Sequence, residues 1–112
     1  MSKVTAGRDR FGNLAPQFAA LNDNVLFGQV WSREADLSAK YRSMITVSSL
    51  MSLGLFEQLP HHIQKAKING VSLTEMVEIV IQLAFYAGWQ KAWSTFQIVK
   101  DIYINRKCAD HG

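Results

Sequence analysis

The sequence predicts an all-α fold of five to six helices, and three features predict it. Apolar residues recur at spacings of three and four along most of the chain. Only two prolines and seven glycines interrupt the 112 residues. No stretch joins period-two alternation to turn residues at its ends, as a strand would.

Residues 1–13 are polar, with Gly7 and Gly12 flanking a charged cluster. They read as a flexible N-terminal arm. A first helix is expected over 15–30. Pro16 falls in its first turn, where a missing N–H costs little, and Phe18, Leu21, Val25, Leu26 and Val30 recur at helical spacing. Residues 31–36 form a polar link carrying Trp31. A second helix fits 39–53, with Ser38 as N-cap and Gly54 as its stop. A third fits 57–69, with Pro60 in its first turn and Asn69-Gly70 at its end. The fourth opens on Ser72-Leu73-Thr74-Glu75, a capping box in which serine and glutamate each satisfy a free N–H. Val71 and Met76 are placed as a hydrophobic staple around it. This helix ends at Gly88, and a fifth runs over 90–104. The expected organisation is one helical domain over 14–105, with a C-terminal tail over 106–112.

Hydrophobic residues make up 48% of the chain and charged residues 19%. A chain this short has a high surface-to-volume ratio, so the low charge fraction points to apolar surface buried between subunits. The fourth helix points the same way. Glu75, Glu78, Gln82 and Tyr86 trace one narrow polar stripe, and nearly every other position is apolar. An ordinary surface helix shows the reverse. A homo-oligomer accounts for this; a central helix in a monomeric bundle is the alternative.

The single cysteine, Cys108, can make no internal disulfide and suits a reducing compartment. Residues 1–13 lack the apolar core of a signal peptide. The longest uncharged run, residues 43–56, is shorter than the roughly 20 residues a membrane span needs. The expectation is a soluble, cytoplasmic protein with no membrane contact. The net charge is +3, but the bases are scattered. Nucleic-acid binders concentrate theirs on one face, so no nucleic-acid partner is expected.

His61 and His62 are adjacent and face different sides of the third helix. Leu59, Ile63 and Ala66 mark its buried face; at about 100° per residue, His62 lies about 60° from the centre of that face and His61 nearly opposite. His62 is therefore the candidate general acid or base; a border histidine held by a core hydrogen bond is the plainer alternative. Glu57, four residues before His61, favours a surface pair with it. Gln58 is nearer His62 on the wheel. Lys40 and Arg42 open the second helix, where cations oppose the helix dipole. An anion site explains them, and so does pairing with Glu34 and Asp36. Trp31, Phe85, Tyr86, Trp89 and Trp93 are either core or the lining of a pocket for a ring-shaped ligand. There is no Cys-x-x-Cys, no glycine-rich phosphate loop, no Gly-x-Ser-x-Gly elbow and no cluster with metal-ligand spacing.

Taken in order, several segments resemble the carboxymuconolactone decarboxylase family. They are Phe27-Gly-Gln-Val-Trp-Ser-Arg33, Leu37-Ser-x-Lys-x-Arg42, Leu53-Gly54, Leu59-x-x-His62-x-x-x-Ala66, Asn69-Gly-Val-Ser-x-x-Glu75, and Tyr86-Ala-Gly-Trp89 followed by Lys91-Ala-Trp93. The resemblance implies an all-helical subunit that assembles into rings, commonly trimers or hexamers. One branch resembles alkylhydroperoxidase D and carries a Cys-x-x-Cys pair ending four residues before the histidine. Leu55 and Gln58 stand there in this chain, so thiol peroxidase chemistry is not expected. The other branch, without the cysteines, implies a carboxy-lyase that needs no cofactor and no metal. It would decarboxylate 4-carboxymuconolactone or a related small carboxylated lactone in aromatic-compound degradation.

On that resemblance His62 and Glu57 are the candidate catalytic residues. Arg33, Lys40, Arg42, Trp31 and Tyr86 are the candidate substrate-binding residues. Two positions depart from the family pattern: Ser43 stands where members usually carry a glutamate after the arginine, and Gln90 where a proline is frequent. The Ser43 departure favours the alternative function, a non-catalytic or small-acid-binding oligomer on the same fold.

Overall fold

The computed structural model describes residues 3–105, and no strand occurs among them. They form six α-helices, α1 (Ala6–Phe11), α2 (Pro16–Ala20), α3 (Ala39–Leu53), α4 (Leu59–Ile68), α5 (Leu73–Tyr86) and α6 (Trp89–Lys100). Two of these run on as wider π-helical turns, α2 into Leu21–Val30 and α6 into Asp101–Asn105. The all-α expectation therefore holds. Cys108 and the rest of the tail lie outside the described residues. None of the helices among the described residues is long and apolar enough to cross a membrane. The chain divides into two compact units, with the boundary between Ala39 and Lys40.

In the N-terminal unit, the sequence reading treats residues 1–13 as an arm, whereas residues 6–11 are helical. Asp23 is the reason. Its carboxylate accepts from the backbone N–H of Gly7 (2.8 Å) and of Arg8 (3.0 Å), two free donors of the first turn of α1. Arg8 Nε (3.2 Å) and Asn22 Nδ2 (2.9 Å) complete its shell. Gly7 has to be small: a Cβ there would stand 2.8 Å from Asp23 Oδ1 and 2.9 Å from the carbonyl of Ala19. Burial pushes the Asp23 carboxyl up, but the donors from Asn22, Arg8 and Gly7 outweigh it and hold the group at about 2. The rest of this unit's core is thin. Ala19 and Trp31 are its buried apolar residues, with Phe27 stacked on Trp31 at 6.0 Å.

The C-terminal unit has a continuous core built from single stripes. Helix α3 buries Ser43, Val47 and Met51, and α5 buries Met76, Val80 and Ala84. Helix α4 contributes Leu59, Ile63 and Ala66, and α6 contributes Ala92, Thr95 and Val99. Each fully buried large aliphatic side chain stabilises the fold by about 1.5–3 kcal/mol.

Helix ends are firmly defined. Gly54 (φ 74°) and Gly70 (φ 96°) adopt the left-handed conformation after α3 and α4. The N–H of Leu55 returns to the carbonyl of Leu50, and that of Val71 to Ala66, each at 2.9 Å. Both are the six-residue closure that favours glycine at the turn. Two lysines finish other helices: Lys91 Nζ donates to the carbonyl of Ser52 (3.0 Å) and Lys67 Nζ to that of Ile102 (3.2 Å), where cations suit the helix dipole. The capping box of α5 is complete, with Glu75 N to Ser72 Oγ at 3.1 Å and Ser72 N to Glu75 Oε1 at 2.9 Å.

Because the Asp23 carboxyl lies at about 2, below its ordinary 3.8, its contribution is present above 3.8 and lost as pH falls through 2. Asp23→Asn is expected to speed amide exchange at Gly7 and Arg8 while leaving the α3–α6 amides protected; unchanged exchange at Gly7 would show that the carboxylate does not hold α1. Ser72→Ala is expected to lower unfolding free energy by about 0.5–2 kcal/mol, the usual cost of losing an N-cap, as read by denaturant titration.

Candidate active site

His62 lies in the first half of α4, half-buried, while its neighbour His61 is exposed. The helical wheel predicts this, since Leu59, Ile63 and Ala66 are each fully buried. The two imidazoles meet edge to face at 5.1 Å between centroids. Nδ1 of His62 is shut off from solvent. Burial first, and then the positive charges of His61 and Lys65, push the His62 imidazole down to about 4. At neutral pH it is therefore uncharged. It can accept a proton, or donate its single N–H to an oxyanion, but as it stands it is no imidazolium acid.

Lys65 is a residue that sequence reasoning passed over. It is half-buried, three residues after His62 on the same side of α4, and burial lowers its ammonium below the usual lysine range. The spacing was a usable signal, because residues three apart are neighbours on a helix. Glu57, by contrast, is exposed ahead of α4, and the charges that shift His62 are those of His61 and Lys65.

At the start of α3, Lys40 Nζ lies 2.9 Å from Glu75 Oε2. Its partner is thus the capping-box glutamate of α5, not Glu34 or Asp36. The Glu75 carboxyl is held below its ordinary range by the backbone N–H of Ser72 and by Lys40. A carboxylate ligand at Lys40 would have to compete with Glu75. Arg42 is half-buried in the same turn. Ser43, next to it, is buried and its hydroxyl accepts from Asn69 Nδ2 at 2.9 Å. Close to Glu75, Tyr103 is pushed up to about 12 by burial and by that carboxylate's charge, so it stays protonated and donates to the carbonyl of Val71 at 2.7 Å.

Tyr86 closes α5 and is 82% exposed. Phe85, Trp89 and Trp93 are exposed with it, so the reading of these aromatics as core is corrected for all but Trp31. Trp31 and Arg33 belong to the N-terminal unit: Trp31 is buried in that unit's core, and Arg33 is exposed and paired with Asp36 at 3.4 Å. Lys40 and Arg42 thus share one turn of α3, and His62 shares a helix face with Lys65.

Comparison with known proteins places these residues in a family. The carboxymuconolactone decarboxylase family matches residues 16–101, most of the chain. This protein belongs to the carboxymuconolactone decarboxylase family. It is similar to the 4-carboxymuconolactone decarboxylase of Acinetobacter baylyi (strain ATCC 33305 / BD413 / ADP1), with 28% identity over 93 residues. The similarity covers 83% of this chain and 63% of that enzyme, so the chain spans less than two thirds of the relative's length. The family match takes in α2 through α6, and with them His62, Arg33, Lys40, Arg42 and Tyr86.

The His62 imidazole lies at about 4 when folded, against an ordinary 6.5. Its neutral form therefore contributes stability fully present above 6.5 and lost as pH falls through 4. Following the ring protons by NMR should give a His62 midpoint near 4, and Lys65→Gln should raise it. A midpoint at 6.5 in both proteins would mean that neither burial nor Lys65 acts on the ring.

Proposed function

We propose that this chain is a cofactor-independent decarboxylase of a small carboxylated lactone, 4-carboxymuconolactone or a close analogue, working as a cytoplasmic homo-oligomer of three or six copies. The observation that carries this reading is His62: a half-buried imidazole, kept neutral beside cations, in a member of this family.

Decarboxylation breaks the bond between the ring carbon and its carboxylate. Carbon dioxide leaves, and the electron pair spreads toward the lactone carbonyl as an enolate. Donors already aimed at that oxygen give the largest catalytic contribution. Arg42, with Lys40, holds a substrate carboxylate; arginine can do so through two parallel hydrogen bonds. Tyr86, exposed at the end of α5, supplies an apolar wall. The proton that completes the product comes from His62. Free, the ring is neutral. A bound carboxylate offsets the charges of His61 and Lys65, raises the imidazole, and lets it take up a proton from solvent that it then delivers to carbon. Glu57, exposed ahead of α4, enters as a second proton carrier only across a subunit contact. Thiol peroxidase chemistry has no support, since Leu55 and Gln58 stand where the cysteine pair would be needed.

One observation favours a second reading, a non-catalytic or small-acid-binding oligomer. Ser43 stands at the position where a relay glutamate is expected from the family pattern, and its hydroxyl is bound to Asn69 in the core.

Turnover of 4-carboxymuconolactone by the purified chain, beside His62→Ala and Glu57→Gln, separates the two. Decarboxylation that falls by about 100- to 10,000-fold in His62→Ala fits a lost proton donor. Equal turnover in that variant removes His62 from the mechanism. Absence of turnover, with saturable binding of the lactone or a related acid by calorimetry, selects the second reading. For an active protein, kcat/KM should rise as pH falls from 6.5 toward 4, because it reports the free enzyme, whose His62 must gain the proton it delivers.

A further inference from the structure

Glu75 divides its two carboxylate oxygens between different tasks. Oε1 accepts from the backbone N–H of Ser72 at 2.9 Å and closes the capping box of α5. Oε2 lies 2.9 Å from Lys40 Nζ at the start of α3. The box needs only an acceptor at this position, and glutamine serves it as glutamate does. The negative charge is therefore surplus to the helix start. What it acts on is Lys40.

We infer that Glu75 is a resident carboxylate in the anion site of α3: it occupies Lys40 in the free chain, yields it to the carboxylate of a small acid, and so sets the affinity of that site. This rests on the role proposed above for Lys40 in holding a substrate carboxylate. Glu75 touches no reacting atom. It is a positioning residue that acts through Lys40.

Three features make the exchange workable. The first is access. The two side chains are 35% and 37% exposed, so a carboxylate from solvent reaches the ammonium without crossing the core. Ion pairs as open as this contribute little to stability and are readily given up.

The second is that neither partner is stranded. Glu75 keeps the N–H of Ser72, and its other oxygen turns to water. Lys40 trades one carboxylate for another. The Glu75 carboxyl is held below its ordinary range, first by the Ser72 N–H and then by Lys40, so at neutral pH the resident group carries the same charge as the ligand it competes with.

The third is the difference in freedom between the two side chains. Glu75 is tied by the cap to the first turn of α5. Lys40 carries its charge on a flexible four-carbon stem. The lysine is thus the side that moves. Because the pair already seats a carboxylate, a carboxylate is also the ligand class it fits.

The test is binding of 5-oxotetrahydrofuran-2-carboxylate, a saturated lactone acid, to the whole chain, with uncharged γ-butyrolactone as the control. NMR of the amides in the first turn of α3 follows the titration. The wild-type chain should bind the acid and not the neutral lactone. Glu75→Gln keeps the capping acceptor and removes the charge, so it should tighten binding of the acid roughly two- to fivefold, the range an exposed ion pair supports. Lys40→Gln should weaken binding, and adding Glu75→Gln to it should change nothing further, which a double-mutant cycle reads directly. For an active protein, Glu75→Gln should lower KM and leave kcat unchanged, because only uniform binding has altered. A purely structural glutamate would give none of this tightening. Binding that is unchanged or weaker in Glu75→Gln, equal tightening without Lys40, or a wild-type chain that does not bind the acid overturns the inference. A chain that shows the binding pattern but never turns over 4-carboxymuconolactone loses the decarboxylase reading and keeps this one; turnover with KM indifferent to Glu75→Gln does the reverse.

Discussion

Helix α5 buries fewer than one residue per turn, and much of the C-terminal unit follows from that. Met76, Val80 and Ala84 repeat at intervals of four and form a stripe narrower than the apolar content of the helix. An apolar residue off that stripe either leans toward the core, as Ile79 and Leu83 do, or stands in water, as Ile81 and Phe85 do. The small residues Ala84 and Ala92 let α5 and α6 approach closely near the turn at Gly88. The large rings nearby, Phe85, Trp89 and Trp93, stand largely in water.

The start of α5 shows how the same unit handles charge. Glu75 receives the N–H of Ser72 and the ammonium of Lys40, so one carboxylate ends a helix and ties it to the beginning of α3. This settles the electrostatic puzzle of a lysine in the first turn of α3: the unfavourable helix dipole is offset by a partner from another helix. His62 lies in the opposite environment. Burial, and then the cationic neighbours His61 and Lys65, make an uncharged ring its resting state.

Much of the fold was legible in the sequence, because α3, α4 and α5 carry their own punctuation. Ser72 and Glu75 announced a helix start, Gly54 and Gly70 announced stops, and Pro60 fell in a first turn. These are local signals, and local hydrogen bonding enforces them. The errors arose where distant residues decide. Helix α1 depends on Asp23, some sixteen positions downstream, and the polar run Asn22-Asp23-Asn24 between apolar residues was the available hint. The exposure of Phe85, Tyr86, Trp89 and Trp93 could not be read from hydrophobicity, which reports a preference for burial and not its achievement within one subunit. At the candidate site the wheel placed His62 correctly between the buried and open faces of α4. Its charge state needed Lys65, and the partner of Lys40 needed the fold.

The hold of Asp23 on the first helix also bears on how this protein is handled. The opening ten residues look dispensable, being short, polar and charged, and are the kind of segment often trimmed before biophysical work. Here their removal would delete the donors from Gly7 and Arg8 and leave a carboxylate, 3% exposed, with Asn22 alone of its present partners. A buried charge stripped of partners destabilises what surrounds it, so the damage from such a deletion would appear in the helix that begins at Pro16. An affinity tag joined ahead of Lys3 spares those contacts; a shortened chain does not.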